Sequence, residues 1–332
     1  MAETKRLLVL TRDRAGAAFR QRIEPYLAPL AQRGIAAEVV ELAQYPWARR
    51  GQMLLARRFD GVLLHRKTLS WLDERWLGRA RRLIYDFDDA VMFQARAPEQ
   101  PHHGRQRRFA RTVRLADLVI AGCPILAGHA DLAGAWESEV VPTGLDAQRF
   151  GPKENYGKAG AAHLVWIGSA STLKQLDPLR PALDAVGRAV PGATLRVIAD
   201  AELYLDGLHV ENIPWILEAE GRLLAECDIG IAPLPDTPYT RGKCGFKVIQ
   251  YMAAGLPVVT SPVGVNADYV RPEETGLHAA TAEEWVAAVR RLTGDPALRE
   301  RMGRAARERV VREFDFAVLA PEVCDLIVRT LV

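Results

Sequence analysis

Asp86, Asp88 and Asp89 end a short apolar run, RLIYDFDDA at 82–90. Two carboxylates spaced this way can hold a divalent cation against a diphosphate. They can also accept hydrogen bonds from hydroxyl groups, and one of them can take a proton. A third use is local, as an Asp cluster capping a helix that starts near Ala90. A second group lies in GKCGFKVIQYMAAGLPVVTSPVG, 242–264. Gly242 and Gly245 let backbone approach a ligand closely, and the helix expected from about Phe246 to Ala254 offers its first N–H groups to an anion. Gln250, about one turn into that helix, can reach back to the same ligand. Gly255 suits the helix end, and Leu256-Pro257-Val258-Val259 starts a buried strand.

The elements that position these groups alternate along the chain. KRLLVLT (5–11), AAEVVEL (36–42), DGVLLHR (60–66), RLIYDF (82–87) and DLVIAG (117–122) read as the strands of one half. HLVWIGS (163–169), TLRVIAD (194–200), DIGIAPL (228–234) and PVVTSP (257–262) read as those of the other. Continuous Val/Ile/Leu runs separated by helical stretches predict parallel strands buried on both faces, hence an α/β chain of two doubly wound domains. Pro142, Gly144, Gly151, Pro152 and Gly157 break regular structure around 140–160, where the connection between them is expected. Two helices are expected after Pro296.

Composition narrows the class. A chain of 332 residues, 49% hydrophobic and 26% charged, suits a globular protein with two cores and has no run long enough to span a membrane. The N-terminal MAETKRLLVLTRDRAG is too short in apolar residues for a signal peptide and reads as a first strand. Cys123, Cys227, Cys244 and Cys324 are scattered, without zinc or redox spacing. Reduced thiols and a cytoplasmic location are therefore expected. The net charge of +3 hides an uneven distribution: the first 150 residues are basic, the rest acidic. Arg-rich runs at 49–58, 75–82 and 104–114 read as solvated helix faces, or else as a surface for anionic lipid headgroups or an anionic acceptor. No nucleic-acid motif accompanies them.

The stretch 242–264 resembles the donor-site signature of family 4 glycosyltransferases, whose GT-B fold sets two Rossmann-like domains facing across a cleft. VVPTGLDAQRF (140–150), DIGIAPLP (228–235) and VRPEETGLHAATAEEWVAAVRRLTGDPALRERMG (270–303) are similar to other segments of the family in the expected order. The resemblance implies an acceptor-side domain at 1–150 and a nucleotide-sugar-binding domain at 151–332, with a last helix, about 315–332, returning to the first.

It also implies roles. Gln250 stands where the family has the Glu that binds the donor ribose, and can pair with both hydroxyls. Gly242 stands where a first Glu contacts the donor sugar, a departure that bears on which sugar is transferred. Arg241 and Lys243 flank that position and could meet an anionic sugar or the diphosphate, or be solvated loop cations. Phe246 and Lys247 open the donor helix beside Gly245. In the loop 168–174, Ser169 takes the place of the family's Arg and Lys174 lies near its Lys. Lys174 is thus the expected cation for the departing diphosphate, with Gly168, Ser171 and Thr172 around it. Gly16 corresponds to the family's first glycine loop, with Arg20 and Arg22 following. Trp215 falls in the loop that contacts the base, or is core. Asp88 and Asp89 match a His–Asp pair facing sugar and acceptor, and Asp86 and His65 are further candidates there. The diphosphate would lie on helix amides across the cleft, so no metal and no cofactor is expected.

Together these imply transfer of a sugar from a nucleoside-diphosphate sugar, with retention, to an acceptor such as a cell-envelope glycan or lipid-linked precursor. Peripheral membrane association through the basic first domain is a further expectation. The alternatives are a nucleotide-sugar epimerase and a catalytically degenerate donor-binding subunit.

Overall fold

A computed structural model describes residues 4–157 and 159–332. The first three residues of the N-terminal run and Lys158 of the polar connection lie outside these. Two compact units are present. The first takes in the chain up to Gly144 together with Thr237–Cys244 and Phe316–Val332, and the second takes in Leu145–Asp236 and Gly245–Asp315. The change of unit at Gly144 falls slightly before the division expected at 150, and Thr237–Cys244 packs with the first unit although sequence placed it in the second domain.

The first unit holds a six-stranded parallel sheet. Its strands are β1 (Lys5–Thr11), β2 (Ile35–Glu41), β3 (Gly61–His65), β4 (Leu83–Phe87), β5 (Leu118–Ala121) and β6 (Ser138–Val140), in the order β2-β1-β3-β4-β5-β6. β3 and β4 are buried along their whole length, as their unbroken apolar sequences require. The register pairs His65 with Asp86, so both sit at the same edge of the sheet. β1 connects to β2 on one side while β3 lies on the other. This order therefore changes direction between the C-terminal ends of β1 and β3, where wound folds take ligands. The closing helix Phe316–Leu331 lays Leu319, Val323, Leu326 and Ile327 into the same core as Leu7, Val9, Leu30 and Leu63.

The second unit repeats the plan. β7 (Ala162–Ile167), β8 (Ala193–Ala199), β9 (Val210–Pro214), β10 (Ile229–Ala232), β11 (Val258–Thr260) and β12 (Gly276–His278) are parallel, in the order β12-β11-β10-β7-β8-β9. Its switch point lies between the ends of β7 and β10. Gly230 has no room for a side chain because a Cβ would stand 2.5 Å from the Tyr251 ring. The fully buried Tyr251 hydroxyl in turn accepts from Ile167 N–H at 3.0 Å, tying the helix Phe246–Ala253 to β7.

Two expectations are corrected. The strands β6, β9 and β12 were not foreseen; each is the outermost strand of its sheet and lacks a long apolar run. No helix starts near Ala90. Residues 88–102 run as turns and irregular backbone, with Pro98 and Pro101 interrupting, and the next helix begins at His103. Among the described residues no helix is long and apolar enough to cross a membrane.

One buried ion pair joins two helices of the first unit, Pro46–Leu54 and Trp71–Leu77. Arg49 Nε donates to Asp73 Oδ1 at 2.8 Å and Nη2 donates to Oδ2 at 3.1 Å. Burial would raise the Asp73 pKa, but the Arg49 hydrogen bonds, Lys67 and Ser70 hold it at about 2, against an ordinary 3.8. A folded-state pKa below the unfolded one adds stability above the unfolded value that is lost as pH falls through the folded one. The melting temperature should therefore drop as pH falls from 3.8 toward about 2. Asp73→Asn, which strands the Arg49 charge, should cost about 3–5 kcal/mol at neutral pH and flatten that acid limb. Calorimetry across the window checks both, and a parallel acid limb in the variant would remove Asp73 from the account.

Candidate functional site

In the first unit the edge formed by the ends of β1, β3 and β4 is crowded with charge. Arg22 Nη2 donates to Asp86 Oδ2 at 2.5 Å and Nε donates to Oδ1 at 3.2 Å, while Nη1 donates to Val141 O at 2.6 Å. Each of the two residues is 3% exposed. Asp86 and Arg22, both expected to meet sugar or acceptor, are instead spent on each other inside the sheet edge. His65 is buried beside them, its Nδ1 3.0 Å from Thr11 Oγ1 and its Nε2 without a hydrogen-bond partner among the described residues. Burial lowers its pKa, with Asp86 and Asp88 opposing, so the ring is neutral at pH 7 and carries no charge for a reacting group.

Asp88 and Asp89 lie side by side with two cations, Arg66 and Lys243. Arg66 Nε lies 3.2 Å from Asp88 Oδ1, and its Nη2 donates to Asp89 Oδ2 at 3.1 Å. Lys243 Nζ donates to Asp89 Oδ1 and to Tyr239 Oη, both at 2.9 Å, and stands 4.5 Å from the centre of the Tyr239 ring. Burial raises the Asp88 pKa, but Arg66 first and Arg22, His65 and Lys243 after it bring it below the ordinary value. A carboxylate held so acidic accepts hydrogen bonds well and protons poorly. Burial lowers the Lys243 pKa and Asp89 more than restores it, so this lysine stays charged. Among the described residues no group of three His, Cys, Asp or Glu side chains is arranged to hold a metal ion. The aspartates do not cap a helix either, although Asp89 Oδ1 accepts from Ala90 N–H at 2.9 Å.

Arg66 and Tyr239 went unnoticed in the sequence. Arg66 adopts φ 57°, a left-handed conformation unusual for a side-chain-bearing residue. The only trace in sequence was its place directly after His65 at a strand end. Tyr239 belongs to the short helix Pro238–Arg241, whose start is legible in Thr237-Pro238. Gly242, next in line, is buried: a Cβ there would lie 2.9 Å from Ala90 Cβ and 3.0 Å from Leu126 Cδ2. Arg241 is exposed at the helix end. Gly16 opens the short helix Ala17–Arg22, where an added Cβ would strike the Asp13 carboxylate.

In the second unit the switch point is built from backbone and hydroxyls. Gly168 follows β7, and a Cβ on it would meet the Trp166 ring at 2.5 Å and Thr172 Oγ1 at 2.7 Å. Ser169 precedes the short helix Ala170–Leu173, its N–H donating to Thr172 Oγ1 at 3.1 Å and its Oγ 2.9 Å from Ser171 Oγ. Ala170 N–H donates to Asp200 Oδ1 at 2.5 Å, so a carboxylate already lies on this first turn. Lys174 follows directly and is exposed. The helix Phe246–Ala253 starts from Gly245 at φ 62°, where a Cβ would come 2.9 Å from Tyr269. Lys247 on its first turn holds Nζ 4.2 Å from the centre of the Trp166 ring. Trp166 therefore touches both the Gly168 loop and the Phe246 helix, bringing these candidates together. Gln250 is 4% exposed on the same helix. Trp215 is not core: it is 37% exposed, and its Nε1 donates to Glu220 Oε2 at 2.8 Å.

Comparison with known proteins bears on this second unit. Residues 161–295 carry a domain that matches the family described as glycosyl transferases group 1. The chain is 28% identical over 200 residues to a glycogen synthase of Mycobacterium tuberculosis, covering 56% of this chain and 47% of that protein. It is 34% identical over 165 residues to an alpha-maltose-1-phosphate synthase of the same organism, covering 49% and 39%. The chain thus spans about half the length or less of these curated relatives. Among solved structures, sucrose-phosphate synthase from Thermosynechococcus elongatus superposes with a TM-score of 0.73 at 16% identity, covering 98% of both chains. HepE of Anabaena, solved with UDP and glucose, gives 0.72 at 16% identity, covering 98% of this chain and 100% of that one. At that identity the likeness shows the fold, which is GT-B.

The closed position at Gly242 generates a direct check. Gly242→Glu restores the carboxylate of the resembling signature, yet the structure has no room for it beside Ala90 and Leu126. The variant should lose about 1–3 kcal/mol of stability, the usual result of overpacking. An unchanged denaturation midpoint would show that the segment moves aside.

Proposed function

We propose that the chain is a glycosyltransferase that takes a sugar from a nucleoside-diphosphate sugar and passes it, with retention, to a glycan or lipid-linked acceptor. The observation that carries this is the second unit's switch point, where the Gly168 loop and the first turn of the Phe246 helix meet on Trp166, within the segment that matches glycosyl transferases group 1. First-turn amides, the Ser171 and Thr172 hydroxyls, Lys247 and Lys174 form a cradle for a diphosphate, and Gln250 suits a ribose. Trp215 offers a ring held by Glu220 to a base.

In this reading the diphosphate leaves against fixed amide dipoles and lysine charge, which act most strongly as the glycosidic bond breaks. A retaining displacement on the same face asks no nucleophile of the protein. Asp88 and Asp89, paired with Arg66 and Lys243, accept hydrogen bonds from hydroxyls on the acceptor side. The exposed Tyr45, Trp47 and Trp71 beside Arg-rich helices support contact of that unit with an anionic lipid surface. A second reading, a donor-binding subunit without transferase activity, draws on Gly242, where the carboxylate of the resembling enzymes is missing and its space is filled.

A thermal-shift screen of UDP, GDP, ADP and dTDP finds the nucleotide, since ligand binding raises apparent stability by mass action. Transfer from the matching nucleotide sugar then separates an enzyme from a silent subunit. With the diphosphate held by amides and lysines, transfer is expected to persist in excess EDTA. Abolition by EDTA with rescue by manganese or magnesium would overturn the metal-free reading.

Lys174 tests catalysis apart from binding. Lys174→Met should leave the fold and nucleotide affinity nearly unchanged while kcat falls by roughly a hundredfold. Lys247→Met, which removes a cation held against Trp166, should act mainly on donor KM. Unchanged kcat in Lys174→Met would demote that residue to a surface cation.

A further inference from the structure

The second unit carries a cavity of about 350 Å³ against the helix Pro296–Glu313, lined by Pro152, Tyr156, Arg304, Arg307, Val311 and Arg312, with Lys153 and Glu308 beside them. It lies away from the switch point. Arg307 Nη1 donates to Ala253 O, the last residue of the Phe246–Ala253 helix, and eight residues of helix put about 12 Å between that end and Gly245.

The charges in the cavity are poorly matched. Arg307 is half-buried, and among the described residues its hydrogen bonds run only to neutral carbonyls: Ala253 O, and Ala147 O at 3.3 Å. A guanidinium drawn from water with no carboxylate against it is an unfinished ion pair. Arg304 and Arg312 add two more, paired with Glu300 (2.9 and 2.7 Å) and Glu313 (3.0 Å) in exposed contacts that water already weakens. Lys153 turns inward, Nζ donating to Ala225 O at 2.9 Å, so it presents only its stem. Glu308 is the one carboxylate among the lining residues. The remaining wall is apolar or aromatic: Pro152, the Tyr156 ring and Val311, a valine left 46% exposed.

We propose that this cavity is a second ligand site, separate from the donor cradle, and that it takes a phosphorylated small molecule. The phosphate sits among Arg304, Arg307 and Arg312, whose planar forks suit its oxygens, and the carbon body rests on Pro152, Tyr156 and Val311. Among the described residues Arg304 and Arg312 meet carboxylates only in exposed contacts and Arg307 has carbonyls alone, so an incoming phosphate supplies the charge that Arg307 lacks and competes for the other two.

Calorimetric titration of the full chain with fructose bisphosphate, with fructose as control, tests this. Saturable binding of the phosphate, none of fructose, and no displacement by UDP are expected. Arg304→Gln/Arg312→Gln removes rim charge without touching the buried hydrogen bonds and should weaken binding at least about tenfold. Arg307→Met should abolish it, and Lys247→Met, altered only in the donor cradle, should leave it unchanged. If Arg307→Met does not fold by circular dichroism, the double variant decides alone. Absence of saturable binding to the wild type, equal affinity in the double variant, or loss in Lys247→Met or on adding UDP would each overturn the proposal.

Discussion

Three carboxylates at the end of one buried strand have to be neutralised, and much of the first unit is arranged by how that is done. Asp86 is inside the sheet edge, where a buried carboxylate needs a partner at hydrogen-bonding distance; Arg22 supplies it from the helix Ala17–Arg22. Asp88 and Asp89 draw Arg66 into a left-handed backbone conformation that costs about 1–3 kcal/mol. They also draw Lys243, and with it the segment Thr237–Cys244, which packs with this unit although the chain on both sides belongs to the other. Packing that segment so closely explains Gly242 and Gly122: a Cβ on Gly122 would stand 2.5 Å from Cys244 Sγ and 3.0 Å from Asp88 Cα.

The second unit solves a different problem with the same winding. At its switch point the work falls to groups that cost little to bury: backbone N–H, hydroxyls that satisfy one another, and a tryptophan fully enclosed between glycine and a lysine stem. Only the lysines bring full positive charge. A site that receives a diphosphate needs such a surplus of donors, whereas a site that receives hydroxyls is better served by acceptors already balanced by cations. The two similar folds thus differ chemically: backbone N–H, hydroxyls and lysines with one carboxylate, Asp200, on one sheet edge, and carboxylates paired with cations on the other.

Much of the fold was legible because buried parallel strands write themselves as continuous apolar runs, such as GVLLH in β3 and LVIA in β5. The edge strands β6 and β12 escaped because three residues leave no apolar run to read, and β9 because VENIP mixes polar and apolar residues. In the second unit the helix Phe246–Ala253 and the strand after it were legible because neighbours in that compact motif are neighbours in space. The first unit's charge cluster was not. Arg22 and Asp86 lie far apart in sequence, as do Lys243 and Asp89, and nothing in residue type says which arginine of many will be buried. The helix expected near Ala90 failed for a related reason: the aspartates that would have capped it were committed to cations, and the prolines beyond left no helix to cap.

The central claim is that the nucleotide binds the second unit's switch point. Amide hydrogen exchange with and without the nucleoside diphosphate that shifts melting most locates the bound state directly, because bound amides exchange more slowly. The account predicts slowed exchange over the Gly168–Lys174 loop and the first turn of the Phe246–Ala253 helix, with little change around Asp86–Asp89. Protection confined to Asp86–Asp89 and its neighbours, with the Gly168 loop unaffected, would contradict it.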